Sequence, residues 1–162
     1  MSKKFSKLGV SEAFQKSLTD LAISIPTDIQ VKTIPLVLNA KKDIVALAKT
    51  GTGKTAAFGL PLLQLIATDS SQIQAVILAP TRELGQQIYA NLVSFSKHSS
   101  AIKITAICGG TPIKPQIEQL KGTTHVVVAT PGRLVDLSQK KPLTLKMWRI
   151  WYWMKQMKWS RL

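Results

Sequence analysis

Acidic residues are scarce in this chain of 162 residues: Asp and Glu total 8, against 22 Lys and Arg, for a formal net charge of +14. An excess of base on that scale points to a polyanionic partner, nucleic acid ahead of an anionic membrane. Cysteine is nearly absent. The single Cys108 excludes an intramolecular disulfide and a cysteine-built metal site, and its apolar surroundings (Ile104–Ile107) make it a small core hydrophobe. No apolar run approaches bilayer length, and the opening Met-Ser-Lys-Lys-Phe-Ser has no apolar signal core. A soluble, cytoplasmic protein without membrane contact is the expectation. Internal repeats and low-complexity stretches are also missing. With 45% apolar residues the chain is not a disordered polypeptide, and its length fits one domain with a real core.

What is present alternates. Short apolar runs at Asp43–Ala48, Gln74–Ala79, Ile102–Cys108 and His125–Ala129 predict buried strands. Between and after them, Thr55–Ala67, Arg82–Lys97, Ile113–Lys121 and Gly132–Gln139 predict helices, the second with Leu84, Ile88, Leu92 and Phe95 on one face. Two further helices, Ser11–Leu21 and Thr27–Leu38, precede the first strand. Strands separated by helices imply an α/β fold, with a parallel sheet covered by helices on both faces.

The sharpest motif is Ala48-Lys49-Thr50-Gly51-Thr52-Gly53-Lys54-Thr55, between a predicted strand and a predicted helix. Gly51 and Gly53 let successive N–H groups face phosphate oxygens, and the helix start favours negative charge. Lys54 is expected to reach the β- and γ-phosphates, and Thr55 to hold Mg²⁺. Ile25-Pro26-Thr27-Asp28-Ile29-Gln30 carries a glutamine whose amide matches the N6/N7 edge of adenine, with Thr27 as a helix N-cap. Pro80-Thr81-Arg82-Glu83-Leu84, Gly109-Gly110 and Thr130-Pro131-Gly132-Arg133 each follow a strand, where open α/β sheets bind ligands. Their hydroxyls, N–H groups and arginines suit a phosphate backbone; taken singly, each is equally readable as turn chemistry.

Together these motifs resemble the first RecA-like domain of the DEAD-box ATP-dependent RNA helicases, from Phe5 to about Lys146. The resemblance implies a RecA-like P-loop NTPase fold binding ATP, Mg²⁺ and single-stranded RNA. Residues 1–40 correspond to the Q-motif region, with Gln30 reading adenine, Ile25 beside it and Phe5 as the upstream aromatic. Residues 41–146 correspond to a partial helicase domain, with Ala48–Thr55 as motif I. Pro80–Leu84, Gly109-Gly110 and Thr130–Arg133 resemble the motifs that touch the RNA sugar-phosphate backbone. Three departures stand out: Ala22 where glycine is frequent, Ile23 where an aromatic is frequent, and Gly85 where alanine is usual.

The family's Asp-Glu-Ala-Asp is missing; its carboxylates hold Mg²⁺ and orient the attacking water. In its place, Met147–Trp159 holds all four tryptophans and no acid. The tail's Arg149, Lys155, Lys158 and Arg161 account for four charges, so the body without them is still at +10. Trp and Met have one codon each, so Trp151–Trp159 back-translates almost uniquely. Read two bases later, it gives Val-Leu-Asp-Glu-(Ala/Thr)-(Asp/Asn)-Glu. Residues 147–162 therefore read as the product of a one-base frameshift, and the domain as incomplete at its C-terminus. The expectation is an inactive helicase fragment lacking the Asp-Glu-Ala-Asp carboxylates and the second domain. Two alternatives stand beside it: a non-enzymatic RNA- or nucleotide-binding module, and a cationic aromatic tail suited to a membrane interface. The tail itself, with no period-2 pattern, is not expected to fill the missing strand's slot.

Overall fold

The computed structural model describes residues 4–39, 43–139, 150–153 and 158–160. A short 3₁₀ turn, Phe5–Leu8, leads into α1 (Glu12–Asp20), α2 (Asp28–Asn39) and α3 (Lys54–Gln64). Then follow β1 (Ala75–Leu78), α4 (Arg82–Phe95), β2 (Ile104–Ile107), α5 (Ile113–Lys121), β3 (Val126–Ala129) and α6 (Pro131–Gln139). Two last strands are β4 (Ile150–Trp153) and β5 (Lys158–Ser160).

The sheet order is β2-β3-β1-β4-β5. All neighbours are parallel except β4 and β5, which are antiparallel. Alternation along the central strands sorts the core into two layers. Ala75, Ile77, Val126 and Val128 pack with Phe58, Leu62, Ile88 and Leu92 of α3 and α4. Val76, Leu78, Val127 and Ala129 pack with Leu120 of α5 and Leu134 and Leu137 of α6. Both faces of the sheet are thus covered, which is why these strands read as unbroken apolar runs. Each fully buried Val, Ile or Leu stabilises the fold by about 1.5–3 kcal/mol.

Helix α3 is apolar on every side, with Ala56–Leu63 all buried, because it is enclosed by its neighbours. Gly59 permits this: a Cβ there would lie 2.6 Å from Leu92 Cδ2 of α4. Helix α1 ends in a left-handed residue, Ala22 (φ 56°). Its N–H donates to Thr19 O, and Ile23 N–H reaches back to Leu18 O. Glycine is favoured at such a helix-terminating position because it has no Cβ to clash.

Two expectations are corrected. Asp43–Ala48 is not a strand: it carries no ladder to any described residue. It keeps a strand's alternation, with Ala46 buried and Val45 and Leu47 exposed at 59% and 75%. The slot beside β1 is instead taken by Ile150–Trp153, paired Ala75↔Ile150 through Leu78↔Trp153. The far edge of β4 is occupied by β5. A ladder is made by backbone groups, and Ile, Trp and Tyr are strong strand formers, so the absence of period-2 sorting did not bar the pairing.

Candidate functional site

The phosphate-loop pattern has the backbone it needs. Gly51 (φ 77°) and Gly53 (φ 81°) are both left-handed, and Gly53 is the N-cap of α3. Thr52 Oγ1 closes the turn by donating to Lys49 O at 2.8 Å. Lys54 Nζ donates to Ala48 O at 3.0 Å and Lys49 O at 2.7 Å, so the ammonium rests on the loop's own carbonyls. Lys49, Thr50 and Gly51 are exposed, and Thr55 is half-buried in the first turn of α3. The loop therefore combines glycine-shaped N–H groups, a helix start and a lysine, a donor set that fits a nucleotide's phosphates. Among the described residues no cluster of three His, Cys, Asp or Glu could hold a metal ion.

Gln30 bridges two segments. Its Oε1 accepts from Thr27 N–H at 2.9 Å, and its Nε2 donates to Gly53 O at 3.0 Å. Thr27 Oγ1 donates to Thr52 O at 2.9 Å. Thr27-x-x-Gln30 is thus one half of a capping box, with the glutamine side chain reaching back to the first residue's N–H. Gln30 is only 3% exposed, and a Cβ on Gly53 would collide with its Nε2. Phe5 belongs to the main core at 5% exposure, whereas Ile25 is 70% exposed. The structure brings Thr27, Gln30, Thr52 and Gly53 together and does not join Phe5 or Ile25 to them by any hydrogen bond or core packing described.

The three strand-end motifs converge. Thr81 caps α4, its hydroxyl accepting from Leu84 N–H at 3.2 Å. Pro80, Arg82 and Glu83 are exposed beside it, and Arg82 Nε lies 3.3 Å from Glu83 Oε1. The Arg82 guanidinium passes over left-handed Gly110 (φ 82°); a Cβ there would lie 2.6 Å from Arg82 Nη1. Gly109 N–H donates to Thr130 Oγ1 at 3.0 Å. Arg133 Nη2 donates to Thr111 O at 2.8 Å, and its Nη1 to Gln116 Oε1 at 2.9 Å. Pro131 and Gly132 open α6 at the same end of the sheet. Two arginines, exposed glycine backbone and a threonine hydroxyl thus share one surface, fit for successive phosphates.

Charge and burial tune the surroundings. The Glu83 carboxyl is held below the usual glutamate range, first by its own backbone N–H and then, after a smaller opposing effect of burial, by Arg82. Burial pushes the Cys108 thiol up. Gly85 of α4 explains one departure from the family pattern: a Cβ there would lie 2.9 Å from Cys108 Sγ. Alanine at 85 and cysteine at 108 compete for the same space.

Two functional-looking residues escaped the sequence reading. Buried His125 accepts from Lys103 N–H at Nδ1 (2.9 Å), so its Nε2 carries the proton donated to Ser70 O (2.8 Å). It fastens the starts of β2 and β3. Gln116 is the other. It lies on the apolar face set by Ile113, Ile117 and Leu120, and a polar residue on such a face was its only signal.

Known proteins are similar to this chain in sequence and fold. Residues 27–150 match the model of the DEAD/DEAH box helicase family. The chain is 44% identical over 143 residues to the DEAD-box ATP-dependent RNA helicase CshA of Streptococcus pneumoniae, covering 88% of this chain and 27% of that protein. The same identity extends over 144 residues of the Listeria monocytogenes CshA. The chain thus spans about a quarter of the length of the curated relatives it matches. A DEAD box protein from Methanococcus jannaschii superposes with a TM-score of 0.86 at 40% identity, over 93% of this chain and 40% of that one. S. cerevisiae Dbp5, bound to RNA and ADP BeF3, superposes at 0.84 with 30% identity, over 94% and 38%. The fold is the RecA-like one of these helicase domains, and with the family model matching most of its length the chain belongs to the DEAD/DEAH box helicase family.

Proposed function

We propose that this chain derives from an ATP-dependent RNA helicase, binds ATP and single-stranded RNA, and does not turn ATP over in the form written here. The observation that carries the RNA part is the convergence of Arg82, Gly109-Gly110 and Thr130–Arg133 on one hydrogen-bonded surface. Thr81 and Glu83 shape its rim, Thr81 by capping α4. The nucleotide part rests on Gly51, Gly53, Lys54 and Thr55 at the start of α3, with Gln30 positioned against Gly53 O. Gln30 uses one N–H and one lone pair there; an amide has two of each, so one donor and one acceptor remain for an adenine edge. ATP, when bound with Mg²⁺, supplies the phosphoryl group. This chain's residues bind and orient it.

The missing function follows from the missing acids. Hydrolysis requires a carboxylate to hold Mg²⁺ and orient water, and no Asp-Glu pair occurs in the sequence. The frameshift reading of residues 147–162 is supported by position. Ile150–Trp153 lies beside β1, and codons from Trp151 onward spell Val-Leu-Asp-Glu in another frame. The rival, a non-enzymatic binding module, is favoured by one observation: the strand-end network is complete although the acids are absent. No helix among the described residues is long and apolar enough to cross a bilayer, and most of the cationic aromatic tail lies outside the described residues.

The test is re-sequencing of the coding DNA from Leu143 past Leu162, paired with RNA-stimulated ATPase assays. The expected result is RNA and ATP binding without turnover, and turnover only when a restored base brings Asp-Glu-Ala-Asp into frame. Turnover by the chain as written would refute the inactive reading. Absence of any helicase-like sequence downstream would refute the frameshift.

A further inference from the structure

The RNA-facing surface described above depends on a residue that belongs to none of its motifs. Gln116 sits on α5, buried, between the turn after β2 and the start of α6. All of its polar atoms are engaged. Nε2 donates to Cys108 O at 3.0 Å and to Thr111 Oγ1 at 2.6 Å, and Oε1 accepts from Arg133 Nη1 at 2.9 Å. This pattern fixes the amide's orientation. Flipped, the NH₂ would face a guanidinium and the oxygen would face a backbone carbonyl, leaving like against like. Arg133 is tied a second time, through Nη2 to Thr111 O. The two bonds use two of the five N–H donors of the guanidinium, and the side chain is only half-buried.

We propose that Gln116 is a positioning residue that holds Arg133 and the Gly109-Gly110 turn as one rigid unit for a phosphate backbone. The proposal rests on the RNA reading of this surface. An arginine on a free side chain samples many rotamers and loses that freedom on meeting a phosphate, whereas one held by Gln116 and Thr111 has already lost it. Since Gln116 is buried beneath the surface, its effect passes through Arg133.

The test uses the full chain and a fluorescein-labelled single-stranded oligouridylate, with affinity followed against salt. Arg133→Ala is expected to weaken binding about tenfold and to lower the salt slope by about one. Gln116→Ala should weaken binding several-fold alone and add almost nothing in the Arg133→Ala background. Gln116→Met keeps the side chain's bulk without its amide and guards against a mere packing loss; it should lose as much affinity as Gln116→Ala. Independently of RNA, the Arg133 side-chain N–H signals in ¹⁵N NMR should be ordered in the parent and averaged in Gln116→Ala. Unchanged Arg133 signals in Gln116→Ala, or additive losses in the double variant, would overturn the proposal. Should Arg133→Ala bind RNA like the parent while the NMR effect persists, the RNA reading of the surface fails and the positioning of Arg133 by Gln116 stands.

Discussion

The two candidate binding regions are held in different ways. Around Arg82, Gly109 and Arg133, each motif hangs from the end of a strand or the start of a helix anchored in the sheet. Around Gly51–Thr55, the segment leading in has no ladder among the described residues, and the loop is tied down by side chains. A sheet-anchored site inherits the stability of the core. A side-chain-anchored site is only as firm as its few hydrogen bonds, and those are worth about 0.5–1.5 kcal/mol each.

The largest effect that sharpens this contrast lies in the core. Ile77→Ala should cost about 2–5 kcal/mol by chemical denaturation, whereas Val45→Ala, on the exposed side of the unladdered segment, should stay within about 0.5 kcal/mol. Equal losses would mean that 43–48 is as firmly held as β1. Gln30→Ala should cost about 1–3 kcal/mol, because it leaves Thr27 N–H without its acceptor and removes one of the two bonds to Gly53 O, the other being from Ala57 N–H. Its signature is faster amide exchange at Thr27 with none at Val127; uniform acceleration would dissolve the distinction between the regions. Gly85→Ala should destabilise by about 1–3 kcal/mol through overlap with Cys108 Sγ, and adding Cys108→Ala should restore most of it. Simple additivity would remove the steric account. Ala22→Gly should stabilise by up to about 1 kcal/mol by relieving a left-handed alanine, read as a raised midpoint in urea.

The smallest effect is electrostatic. Lys97, followed by His98, hydrogen-bonds Asp20 and holds its carboxyl below the ordinary aspartate range. A depressed carboxylate stabilises the fold fully above pH about 4 and loses that contribution as pH falls through the lowered value. Asp20→Asn should lower stability slightly at neutral pH and leave it nearly unchanged at acid pH, so that the acid limb flattens.

Much of this was legible in the residues. The runs around Val76, Thr105 and Val127 became strands because their apolar character is local and both sheet faces are buried. Helix α4 followed its Ile88, Leu92, Phe95 stripe. Asp43–Ala48 has the same local character and still failed, because a ladder needs a neighbour, and a neighbour is not written in the segment itself. The reverse holds for Ile150–Trp153, whose side chains argue against a sorted strand while its backbone takes the position beside β1. At the site, glycines and arginines announced themselves by motif. Gln116 and His125 did not, since a buried polar side chain shows its purpose only when its partners, distant in sequence, are in place.

One detail of the phosphate loop reaches into thermodynamics. Lys54 spends its ammonium on Ala48 O and Lys49 O, so the resting loop is a competitor for its own ligand. An incoming phosphate must shift that equilibrium, and measured affinity is the intrinsic affinity multiplied by the fraction of loops already open. Each tenfold preference for the self-satisfied loop weakens apparent nucleotide binding tenfold without altering a single contact in the complex. On the proposed ATP reading, nucleotide affinity is therefore a gauge of how often the loop lets go of its own lysine.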